Sequence, residues 1–469
     1  MLTTISADRF SGLPDNLAYH IFSFLKLKDI TRLSLVSKRF KRLCMSTPFL
    51  AFDDTNCRFD EAKRAQMMNY IDRFLFLRKG THIHRLYIRW YLRKGTIGDE
   101  YRVVSWLHNA VLCNVKHIML DLVVEVESEF TLPTSLLSCA SLEALTVRLD
   151  DDIFKLPNSI STMSGSIFLK SLTLQSVKLD DNFGISVSTC CKFLKELRLR
   201  DIKGVKCIVI TSSSLELLAI LKPHHLVHLL VCAEMLRSVV VEWRFDSHET
   251  RLLHLSTPSL ETLLWKGNKV NFSSAGRFDN LAKVGIFLRP YTGVDFITQP
   301  QIDTVLQAVC STKCLALLDI NIQDCLQTMF PSLMKLHIEV SAAFDVDLVR
   351  NMASLFRVTP NLHHLSIKRE FEFRYIDNAS DQGKDGEDAG ICDAWYAASL
   401  PFLHDVTMEL IRQDKYELEL IKYLFKYAGC LRTIAIFYVP PLKSHFNREV
   451  IGCKKASILV QLKFIRCGA

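Results

Sequence analysis

Leu169-Lys170-Ser171-Leu172-Thr173-Leu174, followed by Leu194-Lys195-Glu196-Leu197-Arg198-Leu199, is the stretch that decides the fold. Each copy reads leucine, two residues, leucine, one residue, aliphatic. In its last three positions aliphatics alternate with a polar residue, the period-2 pattern of a short strand with one buried face. The leucine three positions earlier packs beneath the turn that enters the strand. So small a unit cannot bury its own apolar face, so it must stack on copies of itself.

Copies extend in both directions. Upstream lie Leu142/Leu145/Val147 and weaker versions at Val115/Ile118/Leu120 and Ile83/Leu86/Ile88. Downstream come Leu215/Leu218/Ile220, Leu236/Val239/Val241, Leu260/Leu263/Trp265, Leu281/Val284/Ile286, Leu315/Leu318/Ile320 and Leu333/Leu336/Ile338. Leu362/Leu365/Ile367, Leu403/Val406/Met408 and Leu431/Ile434/Ile436 complete the set. From Leu142 the copies start 27, 25, 21, 21, 24 and 21 residues apart. That interval fits one strand plus one return segment, the period of a leucine-rich repeat, and predicts a solenoid with a parallel sheet on its concave side. Ser141, Ser214, Pro258-Ser259, Pro331-Ser332 and Pro360-Asn361 supply the break before the strands. The return segments are irregular, and the asparagine usual after the strand is mostly absent.

The outward position of each strand falls on Thr146, Thr173, Arg198, Val240, Leu264, Asp319, His337, Ser366 and Thr407. One step further lie Arg148, Gln175, Arg200, Glu242 and Lys266. Arg148, Arg198 and Arg200 are the candidate substrate-binding residues, since neighbouring arginines suit an acidic peptide or a phosphate.

A different pattern opens the chain. Asp8-Arg9-Phe10-Ser11-Gly12-Leu13-Pro14-Asp15-Asn16-Leu17 leads into His20-Ile21-Phe22-Ser23-Phe24-Leu25, then Asp29 to Cys44. Pro14 suits a first helical turn and Asp15 the positive end of its dipole. Leu17, Ile21, Phe24 and Leu25 fall on one helical face. Asp29 is placed to cap a second helix striped with Ile30, Leu33, Val36, Phe40 and Leu43. Domains below about 40 residues rarely bury enough surface to stand alone, so the surplus apolar surface implies a partner. An ordinary helical hairpin at the start of a larger fold is the alternative.

This run resembles the F-box over roughly 40 residues. The family's three submotifs stand here as Leu13-Pro14-Asp15, Ile21-Phe22-Ser23-Phe24-Leu25 and Val36-Ser37-Lys38-Arg39-Phe40. Ala18 replaces a usual leucine and Phe40 a usual tryptophan. The resemblance implies docking on the Skp-type adaptor of a cullin-based ubiquitin ligase. Leu13, Pro14, Leu17, Ile21, Leu25, Leu33, Val36 and Phe40 are expected to contact the adaptor or hold that surface. The mostly missing asparagine favours the plant-type F-box repeats. Phe402 to Lys455 resembles the FBD domain of such proteins, with Phe402-Leu403-His404-Asp405-Val406, the helical run Glu417–Ala428 and Cys430-Leu431-Arg432-Thr433-Ile434 carrying the likeness.

The expected organisation is α/β: an F-box helical module at 1–50, a helical linker at 51–80, a leucine-rich-repeat solenoid at 81–400, and an FBD-like capping region at 401–469. Residues 376–393 hold six acidic residues against one lysine and three glycines, the composition of a solvated loop.

Bulk properties fit this plan. A chain of 469 residues with 49% hydrophobic and 23% charged residues is a folded one. The net charge is +8, and the first 50 residues carry eight Lys or Arg against three Asp or Glu, which suits an acidic protein partner. Those cations interleave with helical apolar positions rather than stacking aromatics, so nucleic acid is not the expected partner. Residues 1–7 lack the charged and apolar regions of a secretory signal, and no run of about 20 apolar residues escapes interruption by charge. Membrane association is therefore not expected. Fifteen cysteines without C-x-x-C pairs or a regular framework read as reduced core thiols in the cytoplasm or nucleus.

No chemistry-bearing constellation emerges. There is no phosphate-cradling glycine loop and no nucleophile elbow. His224-His225-x-x-His228 would share a metal-binding face only if helical, and Cys310-x3-Cys314 with Cys325 fits core packing better. Neither cofactor nor metal is expected. The favoured function is a non-catalytic substrate receptor of an SCF-type (Skp–cullin–F-box) ligase, with a cullin reached through the adaptor and an unknown target protein on the repeats. The alternative is a repeat scaffold that binds proteins without assembling a ligase. A spatially assembled enzyme site and nucleic-acid binding complete the competing readings.

Overall fold

The computed structural model describes residues 12–467 apart from 26, 79, 94–96, 125–129, 150–153, 156–167, 248, 290–302, 319–327, 342–343, 371–398, 454–455 and 458. The expected acidic loop 376–393, Cys325 and Asp319 lie outside these. The chain forms two compact units, residues 1–228 and 229–469.

The first unit starts with three helices: α1 (Asp15–Phe22), α2 (Leu27–Ser34) and α3 (Lys38–Ser46). The expected hairpin is therefore a three-helix module. Asp29 sits inside the first turn of α2 instead of capping it. The long second stripe is interrupted because Ser37, extended at φ −156°, accepts the amide of Phe40 at 3.1 Å and starts a new helix. Ala18, Phe22, Ile30, Phe40, Leu43 and Cys44 form the core of this module, with Tyr19, Leu25 and Leu33 packed against it.

Residues 51–80 are more than a helical linker. The strand β1 (Phe49–Asp53) enters the sheet as its first rung, and α4 (Glu61–Leu77) follows, capped by Asp60. β1 pairs in parallel with β2 (Arg85–Leu92), which pairs with β3 (His117–Val124). Strands 144–149, 171–175, 196–200 and 217–221 continue the parallel ladder. In register, Leu50, Leu86, Ile118, Leu145, Leu172, Leu197 and Leu218 stack one per rung. All seven are buried. Sequence periodicity becomes a continuous core because each rung repeats the same inward positions. α5 (Ile97–Leu112) and helix 183–190 form return segments.

The second unit repeats the device. Val239, Leu263, Val284, Leu315, Leu336, Leu365, Val406, Ile434 and Leu462 stack in a parallel ladder running from strand 238–243 to strand 461–466. The last rung, at 461–466, is one beyond those the leucine pattern identifies. One expected copy is out of register. Leu315 and Leu317 align with the inward Leu336 and Ile338, and Ala316 takes the outward position; Ile320, like Asp319, lies outside the described residues. The leading leucine of that copy is replaced by Thr312, fully buried with its hydroxyl donating to the carbonyl of Cys314 at 3.1 Å. The return segments include strands 252–256 and 271–274, which pair in parallel, and helices 346–357, 415–427 and 444–452.

The residues before each strand do more than break the chain. Ser141 donates to the carbonyl of Val115 on the preceding rung at 2.9 Å, and Ser214 donates likewise to Leu194 at 2.9 Å. The Asn361 amide reaches the Pro331 carbonyl at 2.8 Å. These bonds satisfy carbonyls that the tight entry turn would leave unpaired.

Candidate functional site

The three-helix module divides its apolar residues into two sets. Phe22, Ile30, Phe40 and Leu43 are sealed in its core, whereas Leu17 is 46%, Phe24 76%, Leu35 84% and Val36 66% exposed. α1 ends at Phe22, so Phe24 stands in the turn beyond the helix, and Leu35 and Val36 occupy the turn between α2 and α3. Their amides donate to Arg32 and Leu33 carbonyls at 3.1 and 3.0 Å, which fixes this turn. Arg39 in α3 donates to Asp15 at 2.8 Å and also to the Leu13 carbonyl, tying the start of α1 to α3. Lys28, Lys38, Lys41 and Arg42 are exposed on the same module. The module thus exposes four large apolar side chains together with four cations, the composition of a protein-docking surface.

The expected adaptor residues separate accordingly. Leu17 and Val36 are exposed, and so is Pro14. Leu13, Ile21, Leu25 and Leu33 are half-buried. Phe40 is buried and acts from within the core, so it holds the surface and does not present a contact. Phe24 and Leu35 are the most exposed apolar side chains of the module, and both are absent from the expected adaptor set; Leu35 lies in neither helical face read from the sequence. Its position after the last turn of α2 was the available signal. Thiol chemistry is suppressed here: burial pushes the Cys44 thiol up to about 11.

α2 meets α4 where Thr31 and Tyr70 share a hydroxyl contact, and within the module Tyr19 of α1 meets Ser46 of α3 at 2.8 Å. Below it lies a buried ionic cluster. Arg64 of α4 donates to Asp54 at 3.2 Å and to both oxygens of Asp99 at 2.8 and 2.7 Å. The Tyr91 amide donates to Asp54 at 3.0 Å. The guanidinium stands 5.1 Å over the ring of Trp90, which meets Trp106 edge-on at 4.8 Å. β1, α4, β2 and α5 are thereby fastened together.

The expected arginine site on the outward sheet face is not an open cationic cluster. Arg198 and Arg200 share a strand, and Arg148 is two rungs away with Gln175 between. Each arginine already faces a carboxylate: Arg148 pairs with Asp121 at 3.9 Å, Arg200 with Asp201 at 3.6 Å, and Arg198 with Glu196. Their charges are largely spent locally. His224 and His225 lie in an irregular turn and His228 begins a strand, so the helical geometry that would have aligned them is absent. Among the described residues no group of His, Cys, Asp or Glu could hold a metal ion, and none of the described helices is long and apolar enough to cross a membrane.

Comparison with known families bears on both parts of this architecture. The model described as "F-box domain" matches residues 10–52, and one described as "FBD-associated F-box protein At5g56370, LRR repeats" matches residues 103–271. A helical F-box carried on leucine-rich repeats defines the class: over these stretches the chain is similar to F-box/leucine-rich-repeat proteins of the plant type. Among its relatives in Arabidopsis thaliana is the putative F-box/FBD/LRR-repeat protein At4g03220, 27% identical over 385 residues, which cover 78% of this chain and 74% of the relative. F-box/LRR-repeat protein At4g14103 is 29% identical over 209 residues, 42% of this chain and 50% of that one. F-box protein At3g59000 is 31% identical over 230 residues, 47% of this chain and 45% of that one. Against the last two the alignments span about half of the relative's length.

Proposed function

We propose that the chain is the substrate-recognition subunit of a Skp–cullin–F-box ubiquitin ligase. The carrying observation is the exposed quartet Leu17, Phe24, Leu35 and Val36 on a module whose other large apolar side chains are buried or half-buried. Leaving four such side chains in water is unfavourable by roughly 25 cal/mol per Å2, and a docked adaptor removes that exposure. The exposed cations Lys28, Lys38, Lys41 and Arg42 suit an acidic adaptor through steering and peripheral contacts. In this reading the F-box spans 1–50, the repeats to about residue 400 bind the target, and residues 401–469 form an FBD-like cap. The chain itself forms and breaks no bonds. It raises the effective concentration of target lysines near the ubiquitin donor held by the cullin, in the cytoplasm or nucleus.

Co-purification tests the reading. Full-length chain co-expressed with a Skp-type adaptor and a cullin should elute as one complex, and Leu35→Glu with Val36→Glu should release the adaptor without altering the unfolding transition. Persistent separation of wild-type chain from adaptor would favour a repeat scaffold that assembles no ligase.

A further inference from the structure

In the second unit, Leu264, Gly285 and Ala316 stand opposite one another on the outward face of three successive rungs. A Cβ placed on Gly285 would meet Leu264 Cδ1 and the Phe287 ring, each at 2.8 Å. The missing side chain is what lets Leu264 and Phe287 close over this rung, giving the sheet a flat, half-buried apolar floor. The corresponding register of the first unit carries Thr146, Thr173 and Arg198 instead.

The charges beside this floor are arranged differently from those elsewhere on the same edge. Lysines and arginines just before other strands have acidic neighbours one rung away: Lys170–Glu143 at 3.0 Å, Lys195–Glu216 at 2.8 Å and Arg237–Glu261 at 3.4 Å. Lys283, Lys313 and Lys335 are exposed on consecutive rungs and make no ion pair among the described residues. Lys283 and Lys335 project from the same face as the floor, two residues before Gly285 and His337 along their strands. They are two rungs apart, so their backbones lie about 10 Å from each other, and Leu264 of the floor lies on the side of Lys283 away from Lys335.

We propose that this face takes a segment of the target protein that carries an aliphatic residue with two acidic residues to one side of it. The acids meet Lys283 and Lys335, and the aliphatic group packs on Leu264 beside Gly285, next to the Phe287 ring that Lys266 approaches at 5.1 Å. This rests on the reading that the repeats hold the target. An exposed lysine–carboxylate pair contributes little by itself, so the charges set position and register while apolar burial supplies most of the affinity.

The test selects binders from a random peptide library with the immobilised full-length chain. Enriched peptides should carry two acidic residues to one side of an aliphatic residue. A peptide of that consensus should lose at least about tenfold in affinity against Lys283→Glu/Lys335→Glu, as expected for reversing charges at an electrostatically matched surface. Both positions are exposed, and an unchanged thermal unfolding transition of the same variant verifies that the second unit is folded. Absence of an acidic consensus, or equal affinity for the charge-reversed variant, overturns the proposal. Self-association of the chain that the variant abolishes, with no peptide enriched, assigns the face to a second copy and overturns it too. Loss of adaptor capture with peptide binding intact in the wild-type chain would defeat the ligase reading and leave this face as a peptide site.

Discussion

Arg64 and Asp99 form a two-pronged ion pair at 2.7 and 2.8 Å with both side chains removed from water. Asp54, also buried, closes the group from the first rung. Buried charges of this kind are weak evidence for net stability, but breaking one is costly because its partners remain buried and unpaired. Arg64→Met is expected to destabilise the first unit by about 3–5 kcal/mol. Urea unfolding monitored by tryptophan fluorescence checks this, since Trp90 and Trp106 surround the pair. A loss under about 1 kcal/mol would mean that the cluster does not fasten β1 and α4 to the repeats.

Glu417 gives a pH signature. It is fully buried in the capping box of helix 415–427, accepting the Ile411 and Asp414 amides at 2.6 and 3.2 Å. Burial outweighs those donors and pushes its carboxyl from 4.5 up to about 7. Between those values the folded chain holds the proton and the unfolded chain does not. The group's contribution is therefore complete below 4.5 and lost as pH rises to 7, about 3 kcal/mol in all. Glu417→Gln keeps an acceptor and removes the titration. The wild-type minus variant stability should fall across pH 4.5–7 and level off above; a flat difference would contradict the assignment.

Gly267, in strand 262–268, has φ +119°, and a Cβ there would land on the Trp243 carbonyl. Gly267→Ala should cost roughly 2–4 kcal/mol through strain and overlap. Gly452→Ala, whose added methyl meets open space at the end of helix 444–452, is the control and should be neutral or slightly stabilising. Thermal melts of the two variants separate a backbone requirement from a general intolerance of substitution.

Ser37→Ala removes the oxygen that receives the Phe40 amide and should lower stability by about 1 kcal/mol. Because the Leu35–Val36 turn depends on α3 starting there, adaptor affinity should fall modestly with it. Unchanged stability would show that the break between α2 and α3 is set by packing alone.

The repeats were legible because every rung imposes the same inward positions, so a dozen imperfect copies report one geometry. Legibility failed where a hydroxyl did a leucine's work. Thr312 satisfies itself on the Cys314 carbonyl, and the pattern slid three residues to Leu318. β1 was hidden because Phe49-Leu50-Ala51-Phe52 lacks the leading leucine and acquires its role only by pairing with β2. In the F-box, Val36 and Phe40 share a helical stripe in sequence, but the turn at Leu35–Ser37 sends one to solvent and the other to the core. Spacing cannot encode that turn. The surroundings of the arginines were hidden for a related reason: Asp121, which pairs with Arg148 at 3.9 Å from 27 residues away, becomes its neighbour only once the rungs are in register.

The central claim is that Leu17, Phe24, Leu35 and Val36 form the adaptor-binding surface. Calorimetric titration of full-length chain with a purified Skp-type adaptor tests it directly, comparing wild type with Leu35→Ala and Phe40→Leu. The account predicts a negative heat-capacity change on binding and a loss of about 1–2 kcal/mol for Leu35→Ala with folding intact. Phe40→Leu should lower stability more than it lowers affinity. Equal affinity of wild type and Leu35→Ala, or no heat of binding at all, would contradict it.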